Sequence, residues 1–467
     1  MKTKDIYKGG LLGLMTCIFL FSACKKNIEV ELAKNLIDAE FVFTDNTTAT
    51  AAITGIYYEF IKSGLLSGGA GRLSAATGLA SDELYEDVPS ELGAPFQNNM
   101  NDARNATVLS WWGALYKAIY QANVAIEGLE KASELTPAVK SQLEGEAYLM
   151  RGLSHFYLVN LFGDIPLILN TDYRASGFST KTKSDAIYDR IVADLIEAQQ
   201  RLAENYINEE KFRPNKAVAT AFLARVYLYA GEWEKASKEA SYIINSPSYE
   251  LLTDLDQVFL KNSKEMIWQF GATNPNFNTD EVYFNIESAP TTGIVVLRDE
   301  FVESFEEGDN RRQKWIGTFI STTGSWNFVS KYKRSAQNEA SNQYFSVLRL
   351  SEQYLISAEA KIQLGNVAGG ISDLNILRMN RRISPASNVP NPLPNISSLL
   401  SKQEALLAVE NERRHELFVE WGQRWFDLKR TDRINTVLGA LKGSNWQPTD
   451  ILFPIPQDEI DKNPNLK

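Results

Sequence analysis

The sequence predicts a mostly α-helical protein in which paired helices pack against an irregular part made of loops and short strands. Long segments repeat apolar residues at three- and four-residue steps, which is the period of a helix face. Residues 249–345 differ, because they contain short β-branched runs separated by Gly, Asn and Pro. The length of 467 residues fits several domains or one large core with insertions.

The amino-terminal residues 1–23 have the pattern of a secretory signal peptide. A basic start is followed by an apolar run that is too short to span a bilayer and that ends in small residues. Phe21–Cys24 (FSAC) resembles a bacterial lipobox, so we expect Cys24 to be the lipidated first residue, followed by a lipid-anchored tether over 24–43. The alternative is a plain signal peptide with an incidental cysteine. Cys17, the other cysteine, lies inside the signal, so the mature chain would lack a disulfide and a cysteine nucleophile.

Composition also argues against several functions. The net charge of −10 disfavours nucleic acid as a partner, because phosphate binding needs clustered Lys and Arg. The two histidines, His155 and His415, lie in predicted helices and are interpreted as structural residues. With so few histidines and no mature cysteine we expect no transition-metal site and no cofactor. No phosphate-binding loop, nucleophile elbow or dinucleotide fingerprint is present.

Helical repeats are predicted over about 44–63, 110–245, 350–382 and 402–430. Three apolar segments each end in a glycine: Phe156–Gly163, Ala224–Gly231 and Ala358–Gly365. After the second and third of these segments the helical period starts again. Helix pairs with a glycine at the turn resemble tetratricopeptide units, which must stack to bury their apolar faces.

The stretch ERRHELFVEWGQRWFDLKR ends the last repeat, and its apolar period predicts one helix over Glu410–Arg430. Charged residues interrupt the apolar stripe. Glu410–Arg414 and Glu420–Arg424 are spaced as i,i+4 pairs, so we expect an ion-pair network that fixes the packing of this helix. A catalytic carboxylate pair is the less favoured interpretation. The predicted structural residues are Glu410, Arg413, Arg414, Glu420, Arg424 and Asp427.

This stretch closely resembles the carboxy-terminal signature of SusD/RagB-like proteins, the nutrient-binding outer-membrane lipoproteins of the Bacteroidetes. Four other stretches match the family pattern in the same order: Trp112–Asn123, Gly145–Ile168, Pro214–Ala236 and Leu452–Leu466. The chain departs from the pattern only in ending at Lys467, where the family often continues with Gln-Asn.

The resemblance implies a single SusD-like domain over 44–467 and a surface-exposed, lipid-anchored protein of the cell outer membrane. Such a protein is not an enzyme. It would bind oligosaccharides, or in some relatives peptides, and deliver them to a SusC-like TonB-dependent transporter as its partner. The ligand site would lie in the irregular parts, about 64–109 and 249–345.

Aromatic residues in these irregular parts are the candidate ligand-binding residues, because flat rings pack against the C–H faces of sugars. Trp326 and Trp315 are expected to be the most exposed rings, and Tyr283 is a further candidate. The loop 82–102 is a second candidate wall and contributes Phe96, Asn98 and Asn101. Its acids and amides could hold a structural calcium ion, but their spacing matches no EF-hand-like loop.

Two other function classes remain open. A glycoside hydrolase would need two carboxylates across a sugar-binding cleft, and no such pair stands out. A tetratricopeptide-type protein-interaction scaffold would use the concave helical face, which the export signal disfavours. The identity of the glycan or peptide does not follow from the sequence.

Overall fold

Helices make up most of the chain in the computed structural model, which describes residues 42–67, 71–99, 102–271, 279–333, 342–386 and 388–467, without the side chains of Thr279, Glu281 and Val282. Cys24 and the predicted signal peptide therefore lie outside the described residues. The helices are α1 (Asn46–Lys62), α2 (Gly64–Ser67), α3 (Leu73–Ala80), α4 (Ala94–Gln97), α5 (Ala106–Lys131), α6 (Pro137–Phe162), α7 (Tyr173–Ser176), α8 (Ser184–Arg201), α9 (Lys216–Tyr229), α10 (Trp233–Ile244), α11 (Thr279–Phe284), α12 (Asp299–Glu303), α13 (Asn310–Lys314), α14 (Leu350–Gln363), α15 (Val367–Met379), α16 (Lys402–Glu416), α17 (Gln423–Arg430), α18 (Ile434–Lys442) and α19 (Gln457–Lys462). The strands are β1 (Leu84–Glu86), β2 (Met266–Phe270), β3 (Val295–Leu297), β4 (Ile316–Ile320), β5 (Ser325–Val329) and β6 (Phe345–Arg349).

The long helices form one continuous stack. Helix α5 packs on α6, α6 on α8, α8 on α9 and α9 on α10. The irregular segment then intervenes, and the stack resumes with α14 on α10 and with α15 and α16 on α14. The predicted mostly α-helical class is confirmed. Within the described part of the chain, no helix combines the length and the apolarity needed to cross a membrane.

Local sequence signals set the ends of these helices. The Asn105 side chain accepts hydrogen bonds from the first turn of α5, and Pro137 opens α6, where a missing N–H costs nothing. Gly163 ends α6 with a φ of +75°, a conformation that glycine adopts without steric cost. Ser401 and Glu404 form a reciprocal capping box at the start of α16.

The strands form three two-stranded antiparallel sheets, with β1 paired to β3, β2 to β6 and β4 to β5. Leu84 lies opposite Leu297, so the first irregular segment is joined to the second one. The β4–β5 hairpin is in regular register from Ile316–Val329 to Ile320–Ser325. Strand β6 runs directly into α14, which couples the irregular part to the helical stack.

The predicted single helix over 410–430 is wrong, because the chain breaks between α16 and α17. Val419, Trp421 and Gly422 all have positive φ. This backbone conformation is strained for Val419 and Trp421, because each has a Cβ atom. Buried donors hold the turn in place. The Lys331 ammonium donates to the carbonyls of Glu416 and Phe418, both at 2.9 Å, and the Trp421 indole donates to the Ser346 carbonyl at 2.6 Å.

The two predicted i,i+4 pairs are also wrong, because within the described chain these residues pair across elements. Glu420 accepts hydrogen bonds from Lys331 and Arg349, and Glu410 pairs with Arg424 and Arg433. The helix break turns the side chains of 420–424 away from the geometry that i,i+4 pairing requires.

An ion-pair network nevertheless fills the centre of this region. The fully buried Glu416 carboxylate binds the guanidinium groups of Arg311, Arg349 and Arg381. Burial alone would raise the pKa of Glu416, but the three cations hold it well below its usual range. The Arg413 Nε donates to Asp427 Oδ2 at 2.7 Å. Buried charges are tolerated here because each has a partner of opposite sign.

Asp82 links this network to the amino-terminal irregular segment. Its carboxylate accepts from Arg424 Nε at 2.8 Å and lies 3.0 Å from Arg414 Nη2. Burial would raise the pKa of Asp82, but Arg424 and Arg414 outweigh that effect and lower it to about 2. Arg414, which was expected to pair with Glu410, is thus a partner of Asp82.

Candidate functional site

The β4–β5 hairpin presents a pair of aromatic rings. Phe319 and Trp326 are register partners, and their ring centroids lie 6.3 Å apart with planes inclined by 30°. Both side chains are partly exposed. The Trp326 indole Nε1 donates to Asp87 Oδ2 at 3.0 Å, so its polar edge is held by the loop that follows β1. We call Phe319, Trp326 and Asp87 the aromatic platform.

The hairpin forms because its turn and one glycine suit it. Ser321 N–H donates to the Gly324 carbonyl at 2.9 Å, and the Ser321 hydroxyl accepts from the backbone of Thr323 at 3.1 Å. The Phe328 ring lies over Gly317, where a Cβ atom would come within 2.2 Å of it. Trp326 lies in β5, where pairing with Phe319 fixes its position.

Exposed carboxylates lie on both faces of the β4–β5 hairpin: Asp87 holds Trp326, and Asp299 contacts Asn327, which points to the opposite face because side chains alternate along a strand. Asn327 Nδ2 donates to Asp299 Oδ1 at 3.2 Å, and Asp87 and Asp299 are both exposed. Burial and then the charges of Asp299 and Asp87 raise the pKa of Tyr85 in β1. Among the described charged residues that shift the pKa of Tyr85, the one cation is Arg298. Its guanidinium lies 6.0 Å from the centre of the Tyr85 ring. Flat rings beside acceptor oxygens suit a hydroxyl-rich ligand without negative charge.

Two of the other candidates, Tyr283 and Asn98, contact other parts of the chain. The Tyr283 ring is covered by the Arg72 guanidinium at 4.3 Å, and burial raises the pKa of its phenol. Asn98 caps the carboxyl end of α4 and is partly exposed. Asn101 lies outside the described residues. Their roles in ligand binding remain predictions.

The expected exposure of Trp315 is wrong, because its side chain is 0% exposed. Its indole donates to the Leu255 carbonyl at 3.3 Å, and its ring packs against Phe259 at 5.4 Å. The neighbouring Arg311 is also buried, within the ion-pair network. Trp315 is therefore a core residue.

Phe96 is also buried, at 3% exposure, and cannot form a wall of a ligand site. Its ring stacks on Trp111 at 5.5 Å and meets Phe453 at 6.0 Å. An aromatic residue in a loop-like sequence can still reach the core when the loop folds back on a helix. Here the short helix α4 places it there.

Both histidines are buried. His155 Nδ1 lies 3.1 Å from the Arg151 carbonyl, and burial lowers the pKa of its imidazole to about 4. His415 Nε2 lies 2.9 Å from the Ser304 hydroxyl. These contacts favour the structural interpretation of both residues. Within the described ranges, no group of histidine and carboxylate side chains is arranged to hold a metal ion.

Sequence reasoning missed Asp87, which holds the Trp326 indole, and its neighbours Tyr85 and Asp299. Asp87 belongs to the loop 82–102 that was identified as a candidate wall, but no local pattern separates it from the other acids there. Asp299 lies at the start of α12, where an acid is common for helix stability alone. Only the long-range pairing of β1 with β3 and the packing of β5 beside them bring these residues together.

Comparison with known proteins gives consistent results. Residues 199–467 match the family model described as the SusD family, and residues 80–228 match one described as starch-binding associating with outer membrane. SusD-like protein P2 of Formosa agariphila is 29% identical over 424 residues, covering 78% of this chain and 80% of the relative. The starch-binding protein SusD of Bacteroides thetaiotaomicron is 26% identical over 433 residues, covering 72% and 74%.

Solved structures share the fold. A SusD homolog from Bacteroides thetaiotaomicron superimposes with a TM-score of 0.77 at 20% identity, covering 92% of this chain and 97% of that one. A laminarin-binding SusD-like protein superimposes with a TM-score of 0.75 at 23% identity, covering 90% and 98%. The family resemblance drawn from five sequence stretches is thereby confirmed.

Proposed function

Because the chain belongs to the SusD family, we propose that it is a non-enzymatic glycan-binding protein whose ligand lies on the aromatic platform. The carrying observation is the stacked pair of Phe319 and Trp326, with its indole edge bonded to Asp87. Sugar rings have apolar C–H faces that stack on such surfaces, and their hydroxyls donate to carboxylates. The starch-binding and laminarin-binding names of relatives support a glycan as the ligand class.

The acidic surroundings narrow the ligand class. Asp87 is exposed and holds the indole edge of Trp326, so a sulfated or carboxylated sugar on the platform would be repelled by its negative charge. A neutral oligosaccharide fits this charge pattern. A peptide ligand would be favoured beside Asp87 only if it were basic.

The platform is tested by Trp326→Ala. We expect glycan affinity to fall at least about tenfold, because truncating a binding aromatic costs on the order of 2 kcal/mol. Affinity electrophoresis against neutral polysaccharides, including starch and laminarin, finds the ligand, and calorimetric titration measures the loss. Tyr173→Ala is the matched control, because Tyr173 is an exposed aromatic residue on α7, outside the platform.

A folded Trp326→Ala protein that binds as tightly as the parent would remove the platform from the site. Incubating the protein with the bound glycan and analysing the mixture for shorter products separates a binder from a glycoside hydrolase. Product formation would contradict the non-enzymatic proposal. A protein-interaction scaffold would show no glycan binding at all.

We further propose that Cys24 is lipidated and anchors the protein at the outer-membrane surface, where it delivers glycans to a SusC-like TonB-dependent transporter. The lipobox-like FSAC sequence and family membership support this. Two or more acyl chains on one residue anchor a protein firmly, whereas a single chain gives only marginal binding.

Cys24→Ala should therefore release a folded, glycan-binding protein from the membrane fraction. Fractionation of cells that lack the transporter measures this release, because the transporter cannot then hold the variant at the membrane. Retention of the variant in the outer membrane of such cells would contradict lipid anchoring. Co-purification from detergent-extracted membranes tests for the transporter itself.

A further inference from the structure

A second cleft opens on the helical stack, away from the aromatic platform. It lies between α14, α16 and α17 and is closed on one side by Trp233, the first residue of α10. Its volume is about 380 Å³. Ligand pockets usually measure roughly 300–1,000 Å³, so this cleft is large enough for one or two sugar units and too small for a folded partner.

The floor of the cleft is charged but internally neutralised. Arg413 donates to Asp427 at 2.7 Å, Arg430 donates to the other oxygen of Asp427 at 2.8 Å, and Arg430 also donates to Glu359 at 2.7 Å. These two cations and two anions alternate in one chain of hydrogen bonds. Four carboxylates line the cleft, those of Glu359, Glu410, Asp427 and Asp432, against the three guanidiniums of Arg413, Arg430 and Arg433, so an anionic ligand would meet a net negative lining.

Polar side chains without a hydrogen-bond partner in the described chain lie at the mouth of the cleft. Gln363, Gln403 and Asp432 line it, and the side chains of these three residues make no hydrogen bond to any part of the chain that the structure describes. An amide both donates and accepts, and a carboxylate accepts. Beside them lie the partly exposed ring of Trp233 and the 42% exposed side chain of Leu407.

We propose that this cleft is a second saccharide-binding site, specific for one or two units of a neutral sugar. Hydroxyl groups match the mixed donors and acceptors of Gln363, Gln403 and Asp432, while a C–H face of the ring packs on Trp233. A small carboxylate is disfavoured, because the carboxylates that line the cleft outnumber its guanidiniums. None of the cleft's lining residues belongs to the hairpin, so the site does not depend on the aromatic platform.

The test labels the protein with 5-fluorotryptophan, so that each of its nine tryptophans gives a separate ¹⁹F NMR signal. Trp233→Phe and Trp326→Phe assign the two reporting signals. The probes are glucose, galactose, mannose, xylose, N-acetylglucosamine, maltose and laminaribiose, with acetate as the anionic probe. We expect the Trp233 signal to shift saturably with at least one sugar and not with acetate.

The double variant Gln363→Ala/Gln403→Ala should weaken that binding about tenfold, as expected for the loss of two hydrogen bonds. Gln313→Ala, an exposed glutamine on α13, is the matched control and should leave it unchanged. A Trp233 signal that no sugar moves, that acetate moves equally, or that responds identically in the double variant would overturn the second site. A failure of the platform would instead appear at the Trp326 signal.

Discussion

Glu83 is a buried acid in an unusual position next to Asp82. It is 2% exposed, its Oε2 accepts from the Val419 backbone N–H at 3.2 Å, and its Oε1 has no partner among the described residues. Burial, reinforced by the neighbouring Asp82 charge, raises the pKa of Glu83 to about 8. The folded protein therefore holds this carboxyl protonated at neutral pH.

Glu83→Gln tests this proton. Between the ordinary pKa of 4.5 and the folded value of about 8, folding takes up a proton, so the contribution of Glu83 to stability is lost as pH rises. Glutamine keeps an acceptor oxygen for Val419 and has no proton to lose. The variant should gain unfolding free energy over the parent by about 1 kcal/mol per pH unit across this window.

Urea denaturation at several pH values measures the difference. Glu91→Gln, a change at an exposed glutamate in the same loop, serves as the control and should give a curve parallel to the parent. Parallel curves for Glu83→Gln as well would mean that Glu83 is ionised in the folded state.

Asp82 has two guanidinium partners. Removing one arginine should therefore lower the unfolding free energy less than removing the Asp82 charge does. Arg414→Ala leaves Asp82 paired with Arg424, and we expect a loss of about 1–3 kcal/mol in unfolding free energy. Asp82→Asn removes the countercharge of both arginines and should cost about 3–5 kcal/mol. Chemical denaturation of both variants gives the order. An Arg414→Ala loss equal to or larger than the Asp82→Asn loss would show that Arg424 does not hold Asp82.

For single residues, the sequence predicted the kind of side chain in the site better than it predicted where each side chain lies in the fold. Trp315 and Trp326 both follow polar or glycine-containing segments, yet one is buried among cations and the other lies on a hairpin. Exposure of a single ring depends on contacts with Leu255 or Asp87, which are distant in the sequence. No local pattern carries that information.

Among the elements, the turn between α16 and α17 is the least regular. Gly422 has a φ of +77°, and a Cβ atom there would lie 3.1 Å from Phe426 and 3.3 Å from Thr77. Lys331, Glu83 and Ser346 reach this turn from three other segments. The strain at Val419 and Trp421 persists because these contacts over-determine the conformation.

Gly422→Ala should therefore lower the free energy of unfolding by about 1–3 kcal/mol, since alanine neither favours positive φ nor fits the space. Gly113→Ala is the contrasting variant. Gly113 lies inside α5 with no atom within 4 Å of an added Cβ, so alanine should stabilise the helix by about 0.5–1 kcal/mol. Thermal melts of both variants decide the matter, and equal shifts of the same sign would refute the strained-turn explanation.

The periodicity of the apolar residues predicted the helices well, but it did not predict the break between α16 and α17. The apolar steps continue from α16 into α17 with almost the same phase, so a single helix explains the sequence equally well. Only Gly422 hinted at an end, and an isolated glycine is a weak signal within a helical pattern. The turn depends on buried donors from distant strands, which a periodicity argument does not include.

For the whole molecule, stacking of helix pairs was predictable because each pair carries an apolar face that it cannot bury alone. Family resemblance added the order of the stretches and the division between helical and irregular parts. The candidate site was only partly predictable, since it combines Asp87, Asp299 and Trp326 from three separate segments. The second cleft lies in the helical stack, which sequence reasoning treated as scaffold.

The pairing of Asp82 with Arg424 spans 342 positions of the chain and has a consequence for synthesis. The early part of the protein contains a carboxylate whose partners, Arg414 and Arg424, are made only with α16 and α17, and Glu265 likewise pairs with Arg381, 116 positions later. A ribosome must therefore nearly finish the polypeptide before its charged centre can close.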